Sequence, residues 1–154
     1  MKQIDLSDCI RYIRQHKNPL ILAGKECDHI KLSNIKLLEY AADLATKMKC
    51  PIAATGNTIK GLEKHQTISI QKAWLGELMA SLKGEWMDPI LNKRPDLLLY
   101  IGYRPEFIDG MISGLEGVGS VHLGPGKSLT AEKCVEADTL YEWEQWLKNF
   151  IETI

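Results

Sequence analysis

The chain has 154 residues, 45% of them hydrophobic and 25% charged, and its 19 Lys and Arg nearly balance 20 Asp and Glu for a net charge of -1. This composition excludes a disordered or collagen-like chain, and at this length one core suffices without disulfides or a structural metal. Balanced charge without a long run of one sign argues against nonspecific binding to nucleic acid or to an anionic membrane.

The first seventeen residues alternate charged and apolar side chains rather than forming the continuous apolar stretch of a signal peptide, and no later segment reaches membrane-spanning length. A cytoplasmic protein with reduced thiols is expected. Within this start, Leu6, Cys9, Ile10 and Ile13 recur at helical spacing, with Ser7 or Asp5 available as N-cap. The first short apolar run follows, Pro19 to Gly24, bounded by turn residues in the manner of a strand covered on both faces. Ile35, Leu38, Ala42, Ala45 and Met48 make a second helical stripe with Ser33 as its cap, and a second strand-like run extends from Pro51 to Gly56.

The segment from Asn57 to Pro95 is too long for one crossover and reads as helical pieces with one exposed excursion, Trp74, Leu75, Leu78, Met79 and Leu82 forming the clearest stripe. Asp96 to Gly102 is a third strand-like run. Pro105 then opens a helix carrying Phe107, Ile108, Met111, Ile112 and Leu115. Ser120 to Gly124 is a fourth run and Ala137 to Tyr141 a weaker fifth, after which Trp143, Trp146, Phe150 and Ile154 close the chain in a last helix. Strands alternating with helices predict a single domain, residues 1–154, of the α/β class: a three-layer, doubly wound parallel sheet of Rossmann-like type.

In such a sheet, ligands bind outside the carboxyl ends of the strands. The segments there contain Gly24 and Lys25; Thr55, Gly56, Asn57 and Thr58; Gly102, Tyr103 and Arg104; and Gly124, Gly126 and Lys127. Glycine lets the backbone approach a phosphate, the cations supply charge, and the hydroxyls and amide donate hydrogen bonds, so these residues form a candidate shelf for an anion or a nucleotide. Turn formation alone also explains the glycines. Gly124-Pro-Gly-Lys-Ser128 fails the phosphate-loop pattern, which needs a glycine where Val121 stands, and no G-x-G-x-x-G follows the first run.

Cys9, Cys27, Cys50 and Cys134 include no C-x-x-C pair, so no metal is expected to be held by this chain alone. Cys27, Asp28 and His29 are sequence neighbours without evident distant partners. His16, His65 and His122 are scattered, and neither Glu63 nor Asp88 has an evident acid or base partner. No catalytic residue is assigned. Among four tryptophans, Trp86 falls in a loop-like stretch and is a candidate partner anchor.

The order of Asn18 to Gly24, a helical segment, and Lys49-Cys-Pro-Ile-Ala-Ala-Thr-Gly-Asn-Thr-Ile-Lys-Gly-Leu62 resembles the central domain of thiamine-diphosphate enzymes. It is also similar to the epsilon subunit of the archaeal acetyl-CoA decarbonylase/synthase complex, with its carbon monoxide dehydrogenase component. The second likeness extends through Asp96 to Gly102 and Met111-Ile-Ser-Gly-Leu115, covering about Ser7 to His122. Near the C-terminus it fades. The family's aromatic pair is reduced to Tyr103, and its Pro-Asn-Ala and Ser-Phe elements are missing, as in a divergent member or paralogue. The resemblance implies a Rossmann-like subunit without catalytic metal, bound to a large nickel and iron–sulfur subunit that oxidises carbon monoxide, with structural support of that subunit and binding of FAD or an adenine nucleotide for electron transfer as proposed roles. Self-association into a homo-oligomer is left open. The alternative is a stand-alone nucleotide- or FAD-binding domain related to the thiamine enzymes.

Overall fold

A computed structural model describes residues 6–54, 56–65, 67–72, 75–83, 94–112, 115–126, 128–135 and 137–154. Helix α1 (Leu6–Arg14) leads into strand β1 (Pro19–Ala23), a 3-10 turn (Lys25–Asp28) and a small hairpin of β2 (Lys31–Leu32) and β3 (Ile35–Lys36). Helix α2 (Leu37–Met48), β4 (Ile52–Ala54), α3 (Asn57–Leu62), β5 (Ile70–Lys72) and α4 (Leu75–Lys83) come next. The rest comprises β6 (Leu97–Ile101), α5 (Pro105–Ile112), β7 (Gly119–His122), β8 (Lys133–Cys134) and α6 (Leu140–Thr153).

Six strands form one sheet in the order β5-β4-β1-β6-β7-β8, with every pairing parallel. Numbered along the chain within that sheet, the order is 3-2-1-4-5-6, the doubly wound order of the Rossmann-like fold. Parallel neighbours need crossovers, and the intervening helices cover both faces.

Two-residue periodicity divides the core into two layers. Ile21 and Ala23 of β1, Ile52 and Ala54 of β4, and Leu97, Leu99 and Ile101 of β6 face one layer, where they meet buried residues of α1, α2 and α6. Leu20, Leu22, Ala53, Leu98 and Tyr100 face the other, against Leu78, Met79 and Leu82 of α4 and Ile108 of α5. All five residues of β6 are buried, which is why its continuous apolar run lacks the alternation of a half-exposed strand.

The runs starting at Pro19, Pro51 and Asp96 contain β1, β4 and β6, and the run starting at Ser120 overlaps β7, which begins one residue earlier. The fifth is corrected. Ala137 to Tyr141 is not a strand, because Thr139 caps α6 by accepting a hydrogen bond from the Glu142 amide at 3.1 Å, while Glu142 accepts one from the Asp138 amide at 3.1 Å. The sheet ends instead with β8, and β5 is an addition at its other edge. Ser33 does not cap α2: it occupies the hairpin turn with Asn34, both at positive φ (51° and 64°) as a type I′ turn requires, and α2 starts at Leu37. Ser7 lies inside α1, and Asp5 is outside the described residues.

Asp96 anchors the amino end of the central pair. Its carboxylate accepts hydrogen bonds from the Lys17 and Asn18 amides, both at 2.8 Å, and its own amide donates to the Asn18 carbonyl at 3.1 Å. Asp96→Ala leaves two amides without their charged acceptor, so urea denaturation is expected to show a loss of about 2 kcal/mol.

Candidate functional site

In this fold the natural ligand crevice lies where strand order reverses, between the carboxyl ends of β1 and β6. The two strands pair in register up to Ala23 and Ile101, and hydrogen bonding continues past them. The Gly24 amide donates to the Ile101 carbonyl at 2.8 Å, and the Glu26 amide to the Gly102 carbonyl at 3.1 Å. A Cβ on Gly24 would strike the Gly102 carbonyl oxygen and lie 2.8 Å from the Tyr103 ring. A Cβ on Gly102, where φ is +80°, would strike the Cys27 sulfur and lie 2.9 Å from the Cys27 amide nitrogen. Gly24 and Gly102 therefore serve a close approach between the chain's own segments.

The later strand ends are filled similarly. Gly124 packs under the Trp143 indole, whose Nε1 donates to the Leu123 carbonyl at 2.7 Å, and Gly126 packs under Pro105. Tyr103 stacks on Phe107 with ring centroids 6.1 Å apart, and burial pushes its phenol pKa up. Lys25 and Arg104 are exposed. Thr58 is buried, and its hydroxyl donates to Asp28 at 2.9 Å, tying α3 to the 3-10 turn. Gly56 differs: it is exposed at φ +58°, and a Cβ there would meet no atom within 4 Å. Asn57 opens α3 directly after it. Parallel pairing of β1 and β4, with Ala23 opposite Ala54, brings the segments bearing Gly24 and Gly56 to the same edge. Thr55 and Lys127, like Trp74, Trp86 and Asp88, lie outside the described residues.

A second constellation, absent from the sequence-based expectations, occupies the carboxyl ends of β7 and β8. Register places His122 opposite Cys134. The His122 Nε2 lies 3.3 Å from the Tyr103 carbonyl, which can only accept; in the tautomer protonated there, the neutral ring presents a bare Nδ1 to Cys134 Sγ at 3.9 Å. The Ser128 amide donates to the same sulfur at 3.1 Å. Burial holds the His122 pKa below its ordinary value, against the opposing pull of the Tyr103 carbonyl, Asp109 and the Gly126 carbonyl. No residue spacing announces this pair, which depends on an edge strand of two residues.

Asp109 of α5 organises the loop between these strands. It accepts hydrogen bonds from the Ser128 hydroxyl at 2.5 Å, the Leu129 amide at 3.1 Å and the Thr130 hydroxyl at 2.8 Å. Burial opposes its ionisation, but these bonds together outweigh it and hold the pKa below the ordinary carboxylate value. Because the folded pKa is the lower one, Asp109 stabilises the fold above the unfolded value near pH 4, and that contribution is lost as pH falls through the folded pKa. Thermal melts should therefore show Asp109→Asn below the parent in Tm at neutral pH, with the difference narrowing below about pH 4.

Beside the 3-10 turn and α3, which follow the carboxyl ends of β1 and β4, Asp28, Lys36, Leu38, Lys60, Gly61 and Lys64 line an open cleft of about 480 Å³. Lys64 pairs with Glu39 at 2.9 Å, and Glu39 also meets His65 at 2.8 Å. Among the described residues, no group of three or more His, Cys, Asp or Glu gathers as a metal site, and no helix is long and apolar enough to cross a membrane.

Exposed large hydrophobic side chains among the described residues are Ile35, Phe107, Leu129, Leu140 and Tyr141, at 44 to 81% exposure. Phe107, Leu140 and Tyr141 stand in the first turns of α5 and α6, Leu129 in the connection between β7 and β8, and Ile35 in β3. No protein-family model matches this chain, and no curated protein matches it.

Proposed function

We propose that this chain is a non-catalytic docking subunit, seated through the carboxyl edge of its sheet on a larger partner. The resemblance to the epsilon subunit makes that partner the large nickel and iron–sulfur subunit of a carbon monoxide dehydrogenase/acetyl-CoA decarbonylase synthase complex. One observation carries the reading: the crevice that this fold offers to ligands is closed by hydrogen bonds from Gly24 and Glu26 to β6 and by Tyr103, while large apolar side chains stand exposed along the same edge. Solvated side chains of this kind gain most when a partner covers them.

The close approach of Gly24, Gly102, Cys27 and Tyr103 at the β1 and β6 ends supports a reading without flavin-mediated electron transfer at that point. A stand-alone nucleotide-binding domain is the second reading. It is favoured by the 3-2-1-4-5-6 strand order and by the open, positive-φ Gly56 at the edge of the crevice.

Native purification of the tagged chain from its own cells, with co-purifying chains and metals identified, separates the two. The docking reading expects a stoichiometric large chain bearing nickel and iron. Recovery of the chain alone would overturn it. Calorimetric titration of the pure chain with FAD, FMN, NAD and ADP provides the second arm: the docking reading expects no affinity tighter than about millimolar, whereas the second expects micromolar binding that Gly56→Val abolishes.

A further inference from the structure

We propose that Cys134 is a modification site, a thiol that His122 deprotonates for oxidation by a small hydroperoxide. Three features favour its thiolate, against the Gly126 and Val135 carbonyls, which accept from the thiol at 3.8 and 3.7 Å. The Nδ1 of His122 faces the sulfur at 3.9 Å while Nε2 lies against the Tyr103 carbonyl, so in the tautomer protonated at Nε2 the nitrogen able to take the thiol proton is the one turned toward sulfur. The Ser128 amide donates to it at 3.1 Å, a contact that favours the thiolate. Asp109, bonded to the Ser128 hydroxyl, supplies a negative charge that favours the imidazolium left after proton transfer.

Access sets the class of oxidant. Cys134 keeps 8% of its surface exposed, which confines the proposal to an oxidant the size of hydrogen peroxide and excludes a bulky disulfide. In the reaction the Sγ proton passes to Nδ1, and a sulfur electron pair forms an S–O bond to one peroxide oxygen. The O–O bond breaks, and the departing hydroxide takes the proton from the imidazolium as water. Sulfur is oxidised by two electrons, the peroxide is reduced by two, and Cys134 becomes a sulfenic acid.

The other thiols lack this arrangement. Cys9 and Cys27 are fully buried. Cys50, 6% exposed, nearly matches Cys134 in access but has no imidazole beside it among the described residues, and burial pushes its pKa up to about 12. It is an internal control for exposure.

The test treats the reduced full-length chain with hydrogen peroxide in the presence of dimedone and follows adducts at each cysteine by mass spectrometry. The dimedone adduct on Cys134 is expected to form about tenfold faster or more than on Cys50, and His122→Asn is expected to remove most of that advantage. Equal rates at Cys134 and Cys50 in the unaltered chain would overturn the proposal, as would an unchanged Cys134 rate in folded His122→Asn. If that variant does not fold, the comparison within the unaltered chain decides. Oxidised glutathione provides the size test, with a mixed disulfide on Cys134 expected to form far more slowly than the sulfenic acid; equal ease would overturn the assignment to small oxidants.

Discussion

Gly102→Ala is expected to lower stability by about 3 kcal/mol or more in urea denaturation, while Gly56→Ala lowers it by only about 1 kcal/mol. Both positions have positive φ, +80° and +58°, so each substitution carries the strain of placing a side chain in the left-handed region. Only Gly102 adds a collision. Its Cβ would strike the Cys27 sulfur and approach the Cys27 amide nitrogen to 2.9 Å. That amide already donates to the Gly24 carbonyl at 3.0 Å, and the neighbouring Glu26 amide is held by the Gly102 carbonyl, so neither segment can retreat without breaking the bridge between β1 and β6. The difference between the variants measures how firmly the crevice is closed. A Gly102→Ala protein as stable as Gly56→Ala would mean that the two segments part readily, and the case against a nucleotide between them would fall.

The central fold was legible because its strands are covered on both sides. Leu97 to Ile101 and Leu20 to Ala23 read as short, continuous apolar runs, and residues on opposite faces of each strand feed different helical layers. The edges were not. Ile70, Gln71 and Lys72 are half-buried or exposed, and β8 has only two residues, so neither offers an apolar run long enough to notice. Ala137 to Tyr141 misled for the opposite reason. Thr139 and Tyr141 favour strands locally, but Thr139 followed three residues later by Glu142 is a helix-start pattern, and the apolar face of Trp143, Leu147 and Phe150 completes the helix.

The candidate site was legible in a more limited sense. The segments after the strands could be named from the glycines, since turns there require them. Whether glycine opens space or fills it was invisible, because that depends on where Tyr103, Trp143 and Pro105 project after folding. His122 and Cys134 illustrate the same limit, since their proximity arises from the register of β7 with β8.

Converting the apolar carboxyl edge to a polar one is expected to separate docking from folding. Leu140 and Tyr141 are 63% and 70% exposed in the first turn of α6, and Phe107 is half-exposed in the first turn of α5. Leu140→Ser and Tyr141→Ser should each change stability by no more than about 0.5 kcal/mol, since little apolar surface is lost from the core. Phe107→Ser also removes a ring stacked on Tyr103 and should cost about 1 kcal/mol. In a bound state, by contrast, these side chains would be the desolvated centre of the interface, where truncating an aromatic or leucine anchor commonly costs about 2 kcal/mol, or roughly thirtyfold in affinity. The triple variant should therefore melt within about 8 °C of the parent yet lose at least about thirtyfold in partner affinity, measured by surface capture of the purified complex partner. Lys47→Ser, near the carboxyl end of α2 and hence at the opposite edge of the sheet, should leave capture unchanged. Undiminished capture by the folded triple variant would place the docking surface elsewhere, and the apolar edge would then need another occupant, with a second copy of this chain the first to test by sedimentation.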